Sequence, residues 1–527
     1  MDFLVHHVLR RSARRSPDKE ALVHGSERLS YAEVARRSAG LAEGLRRAGV
    51  GRGDRVGIYL DASVPQVLSI FGVSQAGAVF VPINSLLFPE QVAHIASDCR
   101  MKGLITSGAR LDGLSSVLRG LPSLEFVVVV GAREGAGPAV QPWRVHDFGR
   151  WCDLTGPARP DDACIGKDLA AILYTSGSTG KPKGVMLSHA QIMAGSSIVS
   201  TYLEITESDR ILAILPLSFD AGLNQLMTAF QQGGTLILMT FVFAREIVQM
   251  LAKERVTGLA GVPTLWSLLA QPSSSLHKTA LPALRYITNT GGAMPQAVLA
   301  SLRRMLPGTR IFLMYGLTEA FRSTYLPPEE LDRRPTSMGK AIPDTEILVV
   351  NDDGQPCKPG EVGELVHRGP TVSMGYWGQP ELTARVLRPH PFLPPELGCD
   401  EKVCYSGDLV TRDEDGFLYF IGRRDALIKS SGFRVSPTEV EEVLFQSGRL
   451  REAGVIGVPD PVLGQSVKAL VVPADNETVS AEELIEFCAT RLPHYMVPRT
   501  VEIVDHLPKT TSGKVDYPSL RRREGLT

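Results

Sequence analysis

Residues 174–184 hold hydroxyl, glycine and lysine residues whose chemistry suits a polyphosphate. The hydroxyl residues are Thr175, Ser176, Ser178 and Thr179, the glycines are Gly177, Gly180 and Gly184, and the cations are Lys181 and Lys183. Glycine lets backbone N–H groups approach an anion closely, hydroxyls donate further hydrogen bonds, and lysines neutralise charge. The apolar run 169–174 predicts a buried strand, so we expect a phosphate loop at a strand end.

A Walker A loop is the first alternative, and it requires Gly-x-x-x-x-Gly-Lys-Ser/Thr. Thr175 stands where that loop has its first glycine, and Pro182 stands where it has the magnesium-binding hydroxyl. A flexible Gly/Ser surface turn is the second alternative, and it explains the glycines but not the hydroxyls and lysines in this order. Downstream, Ser188 and Gln191 fit a capping box that begins a helix.

Composition limits the class of protein. A chain of 527 residues is too long for one ordinary core, so two or more domains are expected. A net charge of −1 gives no electrostatic reason to expect nucleic acid or an anionic membrane as a partner. No apolar run reaches the ~18 residues of a membrane span. The start lacks a signal-peptide pattern, and seven scattered cysteines indicate reduced thiols in a cytoplasm.

The hydrophobic pattern predicts an α/β fold. Apolar runs typical of strands occupy 56–60, 78–83, 103–106 and 126–130, and a helical pattern occupies 65–75. This alternation predicts layered α/β structure with a parallel sheet. After about residue 340, short strands with turn signals at 351–354 and 413–416 predict a β-rich subdomain. The glycines and proline of 131–138 predict a loop.

Further motifs follow the phosphate loop in order. They occupy 29–34, 75–83, 315–319, 363–369, 375–377, 405–408, 422–425, 429–434, 492–498 and 508–514. Together with the loop, this series resembles the AMP-forming adenylating superfamily over nearly the whole chain. That superfamily comprises acyl-CoA synthetases, luciferase-like enzymes and the adenylation domains of peptide synthetases.

The resemblance implies two domains. The first is a large N-terminal adenylate-forming domain over residues 1–423, built of layered α/β subdomains and a β-rich subdomain. The second is a small, mobile C-terminal α/β domain over residues 424–527, which carries a catalytic lysine. Asp425 matches the hinge position, where few residues absorb a large backbone change.

The resemblance also implies a reaction, in which a carboxylate attacks the α-phosphorus of ATP and gives an acyl-adenylate and pyrophosphate. Attack of one anion on another requires charge neutralisation and positioning. Glu319 is similar to the family's magnesium ligand, a hard oxygen donor, and Thr318 to its α-phosphate contact. Lys514 is similar to the lysine that bridges the carboxylate and the α-phosphate and stabilises the transition state.

The remaining motif residues imply nucleotide and thiol sites. Tyr315, followed by Gly316, is expected to stack on adenine. The backbone of Gly291, Gly292 and Ala293 is expected to line the base. Asp408 is expected to bind the ribose hydroxyls, and Arg423 the ribose and phosphate. After rotation of the small domain removes Lys514, a loop with Ser431, Gly432 and Arg434 is expected to face the thiol. That thiol is CoA or the phosphopantetheine of a carrier protein.

The acid substrate is less specified. Phe219, Asp220, Asn224, Met314 and Arg322 are the candidate pocket residues. Asp220 is similar to the aspartate that amino-acid-adenylating members place against the substrate ammonium, and alternatively it is a structural residue at a helix start. Arg322 could pair with Asp220 or a substrate carboxylate, or it could face solvent. The motif at 315–319 has leucine where peptide synthetases usually have proline, which is closer to acyl-CoA ligases.

We therefore predict a cytoplasmic, ATP- and Mg²⁺-dependent carboxylate–thiol ligase that transfers its acyl-adenylate to CoA or to a discrete carrier protein. The residues favour an amino acid as substrate, and a fatty- or aryl-acyl-CoA synthetase is the alternative. A non-catalytic nucleotide-binding member and a luciferase-like oxidative activity also stay open.

Overall fold

The computed structural model describes residues 2–131, 142–156, 162–176, 182–397, 401–424, 426–430, 433–461 and 463–526. The loop predicted at 131–138 lies, after residue 131, outside the described residues.

Strands occur along the whole described chain. They are β1 Glu20–His24, β2 Glu27–Ser30, β3 Arg55–Tyr59, β4 Val79–Pro82, β5 Gly103–Ser107, β6 Phe126–Val130, β7 Arg144–Asp147, β8 Leu169–Ser176, β9 Pro182–Ser188, β10 Arg210–Ala213, β11 Thr235–Leu238, β12 Gly258–Gly261, β13 Tyr286–Asn289, β14 Arg310–Tyr315, β15 Thr324–Leu326, β16 Lys340–Ala341, β17 Glu346–Val350, β18 Gly363–Arg368, β19 Leu387–Pro389, β20 Lys402–Arg412, β21 Leu418–Arg423, β22 Ile428–Ser430, β23 Phe433–Val435, β24 Leu450–Asp460, β25 Gly464–Pro473 and β26 Thr500–Ile503.

Helices alternate with these strands. They are α1 Val5–Arg15, α2 Tyr31–Arg47, α3 Val64–Gln75, α4 Pro89–Asp98, α5 Gly108–Leu118, α6 Phe148–Cys152, α7 His189–Tyr202, α8 Asp220–Gln232, α9 Ala244–Lys253, α10 Pro263–Leu269, α11 Gln296–Met305, α12 Pro380–Val386, α13 Pro437–Gln446, α14 Ala481–Ala489 and α15 Tyr517–Arg523, with 3₁₀ turns at Pro272–Ser274, Leu276–Lys278, Pro328–Glu330, Pro395–Leu397 and His494–Met496. Among the described residues, no helix combines the length and the apolar character that a membrane span requires.

The chain divides into two compact units. Unit 1 contains Met1–Thr240, Thr318–Phe321 and Pro370–Val386, and unit 2 contains Phe241–Leu317, Arg322–Gly369 and Leu387–Thr527. The domain boundary after residue 423 stays a prediction. An apolar core built from Ile428, Val455, Ala469, Val501 and their neighbours lies within the sequence range of the predicted C-terminal domain.

Unit 1 confirms the predicted parallel sheet. Strands β7, β6, β5, β3, β4 and β8 lie side by side in parallel pairs where their register is defined, and β9 closes the edge antiparallel to β8. Apolar side chains of β3, β4, β5, β6 and β8 pack with those of α4 and α5 in one buried cluster. In a second group, β10 and β1 each pair in parallel with β11, and β2 pairs antiparallel with β1.

Unit 2 contains the predicted β-rich region and a further α/β sheet. Strands β12, β13 and β14 are parallel, while β15 and β16 are antiparallel. Strands β17 to β21 form an antiparallel sheet. Gly354 and Gly416 adopt φ of +76° and +86° at the turns that the sequence predicts there. Strands β22 to β26 form the last sheet.

Candidate active site

The predicted phosphate loop joins two paired strands of unit 1. At the loop end of the β8–β9 hairpin, Thr175 is opposite Lys183 and Ser176 is opposite Pro182. Thr175 and Lys183 are both half-buried. The side chain of Ser176, and the predicted phosphate contacts Gly177, Ser178, Thr179, Gly180 and Lys181, lie outside the described residues. The helix predicted to follow is confirmed, because Ser188 caps α7 in a capping box with Gln191.

Glu319 is held within unit 1 by a tyrosine. The phenol of Tyr376 donates a hydrogen bond of 2.5 Å to Glu319 Oε1, and the Ser373 N–H donates to the Glu319 carbonyl at 2.8 Å. A carboxylate has two oxygens with about four acceptor sites, so one phenol leaves capacity for a cation. This hard oxygen donor fits Mg²⁺, which usually takes its other ligands from water and substrate phosphates. Thr318, the predicted α-phosphate contact, immediately precedes Glu319 in the sequence and is buried.

In unit 2 the structure brings together the residues predicted for adenine and ribose. Tyr315, at the end of β14, donates its phenol to Asp408 Oδ2 at 2.5 Å, and Arg423 Nη1 lies 3.3 Å from Asp408 Oδ1. Asp408 and Arg423 are opposite each other in the β20–β21 ladder. Burial and the charge of Asp408 raise the pKa of Tyr315 well above its ordinary value, so its phenol stays a donor at neutral pH.

Lys514 lies against the glycine segment that follows β13. A Cβ built at Gly291 would lie 2.4 Å from Lys514 Cε and 3.1 Å from its Nζ. Gly291 has a φ of +81°, which favours glycine, and Asn289 donates its side-chain amide to the Gly292 carbonyl at 2.8 Å. The predicted lysine and the predicted Gly291–Ala293 backbone are therefore adjacent in unit 2.

Local hydrogen bonds fix the backbone around Lys514. Its N–H donates to Thr510 Oγ1 at 3.2 Å, and its carbonyl accepts from the Thr510 N–H at 2.7 Å. Thr264, on α10, donates its hydroxyl to the Gly513 carbonyl at 2.6 Å. Sequence reasoning missed Thr264, because no motif or charge pattern marks it.

The candidate acid-binding residues are mostly buried. Asp220 and Asn224 are on α8 of unit 1, just after Phe219, while Met314 and Arg322 belong to unit 2. Asp220 Oδ1 accepts from the Ala221 N–H at 2.8 Å in the first turn of α8. This is a local contact with the next residue rather than a helix-capping bond, so the structural alternative and amine recognition both stay open.

The thiol-side prediction is only partly described. Asp425, Ser431 and Gly432, and the side chain of Arg434, lie outside the described residues. The flanking strands β22 and β23 form a hairpin, with Lys429 opposite Arg434 and Ser430 opposite Phe433.

A second cluster of polar side chains lies at the start of the chain. His6 Nε2 and His7 Nε2 lie 3.0 Å and 2.7 Å from the two oxygens of Asp162, and Arg10 binds the same carboxylate at 2.9 Å. Bonds from His6, Arg10 and His7 hold the pKa of Asp162 well below its usual range. Because Arg10 already forms an ion pair with this carboxylate, we interpret the cluster as a set of polar contacts that anchors α1, rather than as a metal site.

Comparison with known proteins identifies the family. A family model described as AMP-binding enzyme matches residues 9–377, and the AMP-binding enzyme C-terminal domain model matches residues 439–514. The chain belongs to the AMP-binding enzyme family. The predictions of an α/β fold and of an AMP-forming acid–thiol ligase are confirmed.

Two relatives of this AMP-binding enzyme carry names that bear on the reaction. A feruloyl-CoA synthase of Amycolatopsis sp is 36% identical over 522 residues, which cover 98% of each chain. The crystal structure of the anthranilate CoA ligase AuaEII in complex with anthranoyl-AMP superposes with a TM-score of 0.89 at 27% identity, covering 99% of this chain and 97% of that one. These names favour the alternative of an acyl-CoA synthetase over the amino-acid prediction.

A third relative bears on the cofactors of the AMP-binding enzyme. The o-succinylbenzoate CoA synthetase of Bacillus subtilis, solved in complex with ATP and magnesium ion, has a TM-score of 0.81 and 27% identity, and the match covers 96% of this chain and 98% of that one. ATP and a magnesium ion are thus bound in a solved relative, and CoA is the acceptor in the relatives named as CoA ligases. The oxygen donors at Glu319 fit the magnesium.

Proposed function

We propose that this enzyme activates an aryl carboxylic acid as its acyl-adenylate and transfers the acyl group to CoA. The observation that carries the proposed chemistry is the position of Lys514. Its side chain packs against Gly291, which belongs to the segment expected to line the nucleotide. A cation there is suited to the charge that develops as the carboxylate attacks the α-phosphate.

The aryl class is supported by two relatives named for ferulate and anthranilate, both aromatic acids. The local contact of Asp220 with the adjacent Ala221 N–H is compatible with this class, because it does not require an ammonium group on the substrate.

In the mechanism we propose, Glu319 and the phosphate loop hold the magnesium–ATP complex, and Asp408 and Arg423 hold the ribose. The Lys514 ammonium orients the carboxylate and stabilises the charge of adenylate formation. Magnesium, when bound, neutralises phosphate charge and polarises the phosphoryl oxygens. The CoA thiol then attacks the acyl carbon of the adenylate, a thioester forms, and AMP leaves.

The test is acid- and CoA-dependent formation of AMP and thioester over a panel of hydroxycinnamates, benzoates, fatty acids and amino acids. Thioester formation with aryl acids and an inactive Lys514→Ala variant with retained fold are the expected results. Activation of amino acids alone would refute the aryl class and favour the hypothesis that Asp220 binds the substrate ammonium. Thioester formation with fatty acids alone would replace the aryl class by the fatty-acyl class.

A further inference from the structure

A segment far along the chain pairs with the strand that leaves the phosphate loop. The Met186 N–H donates to the Gly375 carbonyl and the Met374 N–H to the Met186 carbonyl, both at 2.9 Å. The Trp377 N–H donates to the Gly184 carbonyl at 2.8 Å. Residues 374–377 therefore lie as an added strand beside β9, within unit 1.

Tyr376 stands in the middle of this added strand. Its backbone forms an isolated antiparallel bridge with Val185 of β9, and its N–H donates to Thr383 Oγ1 at 2.9 Å. The residue is 8% exposed, and its phenol donates to Glu319 Oε1 at 2.5 Å. One residue thus contacts both the strand after the phosphate loop and the proposed magnesium ligand.

A second bond joins the same two segments. The Ser373 N–H donates to the Glu319 carbonyl at 2.8 Å, so both the backbone and the side chain of Glu319 are held by residues 373–376. A glutamate side chain has several rotatable bonds, and without a partner it populates many rotamers. A buried donor on one oxygen selects among those rotamers and leaves the other oxygen for a cation.

We propose that Tyr376 is a positioning residue that selects the orientation in which the Glu319 carboxylate would serve as a magnesium ligand, by tying it to β9, the strand that follows the phosphate loop. This inference rests on the proposed function, because Glu319 is a ligand only in an enzyme that binds magnesium–ATP. In this proposal Tyr376 acts through Glu319.

The variant Tyr376→Phe removes only the phenol oxygen and keeps the packed ring. We expect Mn²⁺ binding in the presence of ATP, followed by electron paramagnetic resonance, to weaken about tenfold, the size expected for the loss of one hydrogen bond to a charged group. The Mg²⁺ concentration for half-maximal pyrophosphate exchange should rise by a similar factor, while the KM for the acid stays unchanged.

Tyr59→Phe is the matched control. Tyr59 is also a buried tyrosine of unit 1, and its phenol donates to the Leu87 carbonyl at 2.8 Å. This variant loses a phenol of the same kind away from Glu319, so it should bind Mn²⁺ as the wild type does. Equal weakening in both variants would overturn the proposal, because the effect would then be general destabilisation.

A double-mutant cycle tests whether Tyr376 acts through Glu319. In a Glu319→Gln background, Tyr376→Phe should cause no further loss of Mn²⁺ binding, because the group that it positions is gone. An undiminished Tyr376→Phe effect in that background, or unchanged Mn²⁺ binding in the single variant, would overturn the proposal. Mn²⁺–ATP binding needs neither acid nor CoA, so this outcome is independent of whether the enzyme accepts aryl acids.

Discussion

Replacing Gly291 with alanine should put a methyl group in the space of the Lys514 side chain. The added Cβ would lie 2.4 Å from Lys514 Cε, whereas carbon atoms in ordinary contact are about 3.5–4.0 Å apart. The lysine must therefore move by about 1 Å or more. The φ of +81° at Gly291 adds a conformational cost of about 1–2 kcal/mol for alanine.

A displacement of about 1 Å at a reacting centre can lower a rate roughly 10²-fold. We therefore expect Gly291→Ala to slow acid-dependent exchange of pyrophosphate into ATP about 100-fold. The second half-reaction, from chemically prepared acyl-adenylate and CoA to thioester, does not use the lysine in the proposed mechanism. It should keep most of its rate, and the ratio of the two rates is the quantity to measure.

Gly292→Ala is the control for a methyl group in the same segment. Its Cβ would meet Pro263 Cγ at 3.2 Å and would not approach Lys514, so overpacking of about 1 kcal/mol and less than about a tenfold loss are expected. Unchanged pyrophosphate exchange in Gly291→Ala, or equal losses in both half-reactions, would refute the idea that this lysine position serves adenylation.

Three further changes test other contacts. Glu442, in the predicted C-terminal domain, accepts from the Gln296 N–H at 3.0 Å at the start of α11. Because this contact would help to hold the domain where Lys514 serves adenylation, Glu442→Gln should slow pyrophosphate exchange several-fold without slowing thioester formation from the adenylate. Slower thioester formation would contradict this. Asp220→Asn should keep kcat/KM for aryl acids, because the amide oxygen can still accept the helix N–H; a large loss of kcat/KM for aryl acids would contradict it. Burial lowers the pKa of His189 and of His367 to about 3, whereas an unfolded histidine has a pKa of about 6.5. As the pH falls below ~6.5, the unfolded chain therefore binds protons that the folded chain does not, and the free energy of unfolding decreases. Urea unfolding at pH 7.5 and 5.5 should show a loss of about 1 kcal/mol per histidine, and His189→Gln should remove one such loss; an unaltered pH dependence in that variant would contradict this.

Local pattern was enough to predict many elements of the fold. The run at 126–130 is β6, and the helical pattern at 65–75 is α3 with one residue added at its start. Ser188 and Gln191 form the capping box that their spacing predicts. These elements are set by periodicity and capping, which depend only on residues close in sequence. Strand β9 was missed because Pro182 and Gly184 weaken the strand signal, and pairing with β8 outweighs that signal.

Contacts between distant residues could not be predicted in the same way. The motif at 375–377 was recognised as a motif, yet nothing in its sequence indicates that the Tyr376 phenol binds Glu319. The position of Lys514 against Gly291 likewise depends on how the last sheet of unit 2 and the segment after β13 fold. The resemblance supplied candidate roles for such residues, while the structure supplies the partners that orient them.

The family resemblance implies that Lys514 is present for adenylation and absent for thiol transfer, and the bonds around Lys514 suit such a role. The segment that carries Lys514 is joined to α10 by the Thr264 hydroxyl, and α13, in the same predicted C-terminal domain, is joined to α11 by the Glu442 carboxylate. Such hydrogen bonds contribute about 1 kcal/mol each, or somewhat more when one partner is charged. If the small domain rotates as the family resemblance predicts, a few kcal/mol can favour the adenylation arrangement and still be broken within a catalytic cycle. Stronger contacts would retain the lysine after the adenylate has formed, whereas weaker ones would leave the carboxylate without its cation. The strength of these two bonds should therefore set how the enzyme divides its time between activation and transfer.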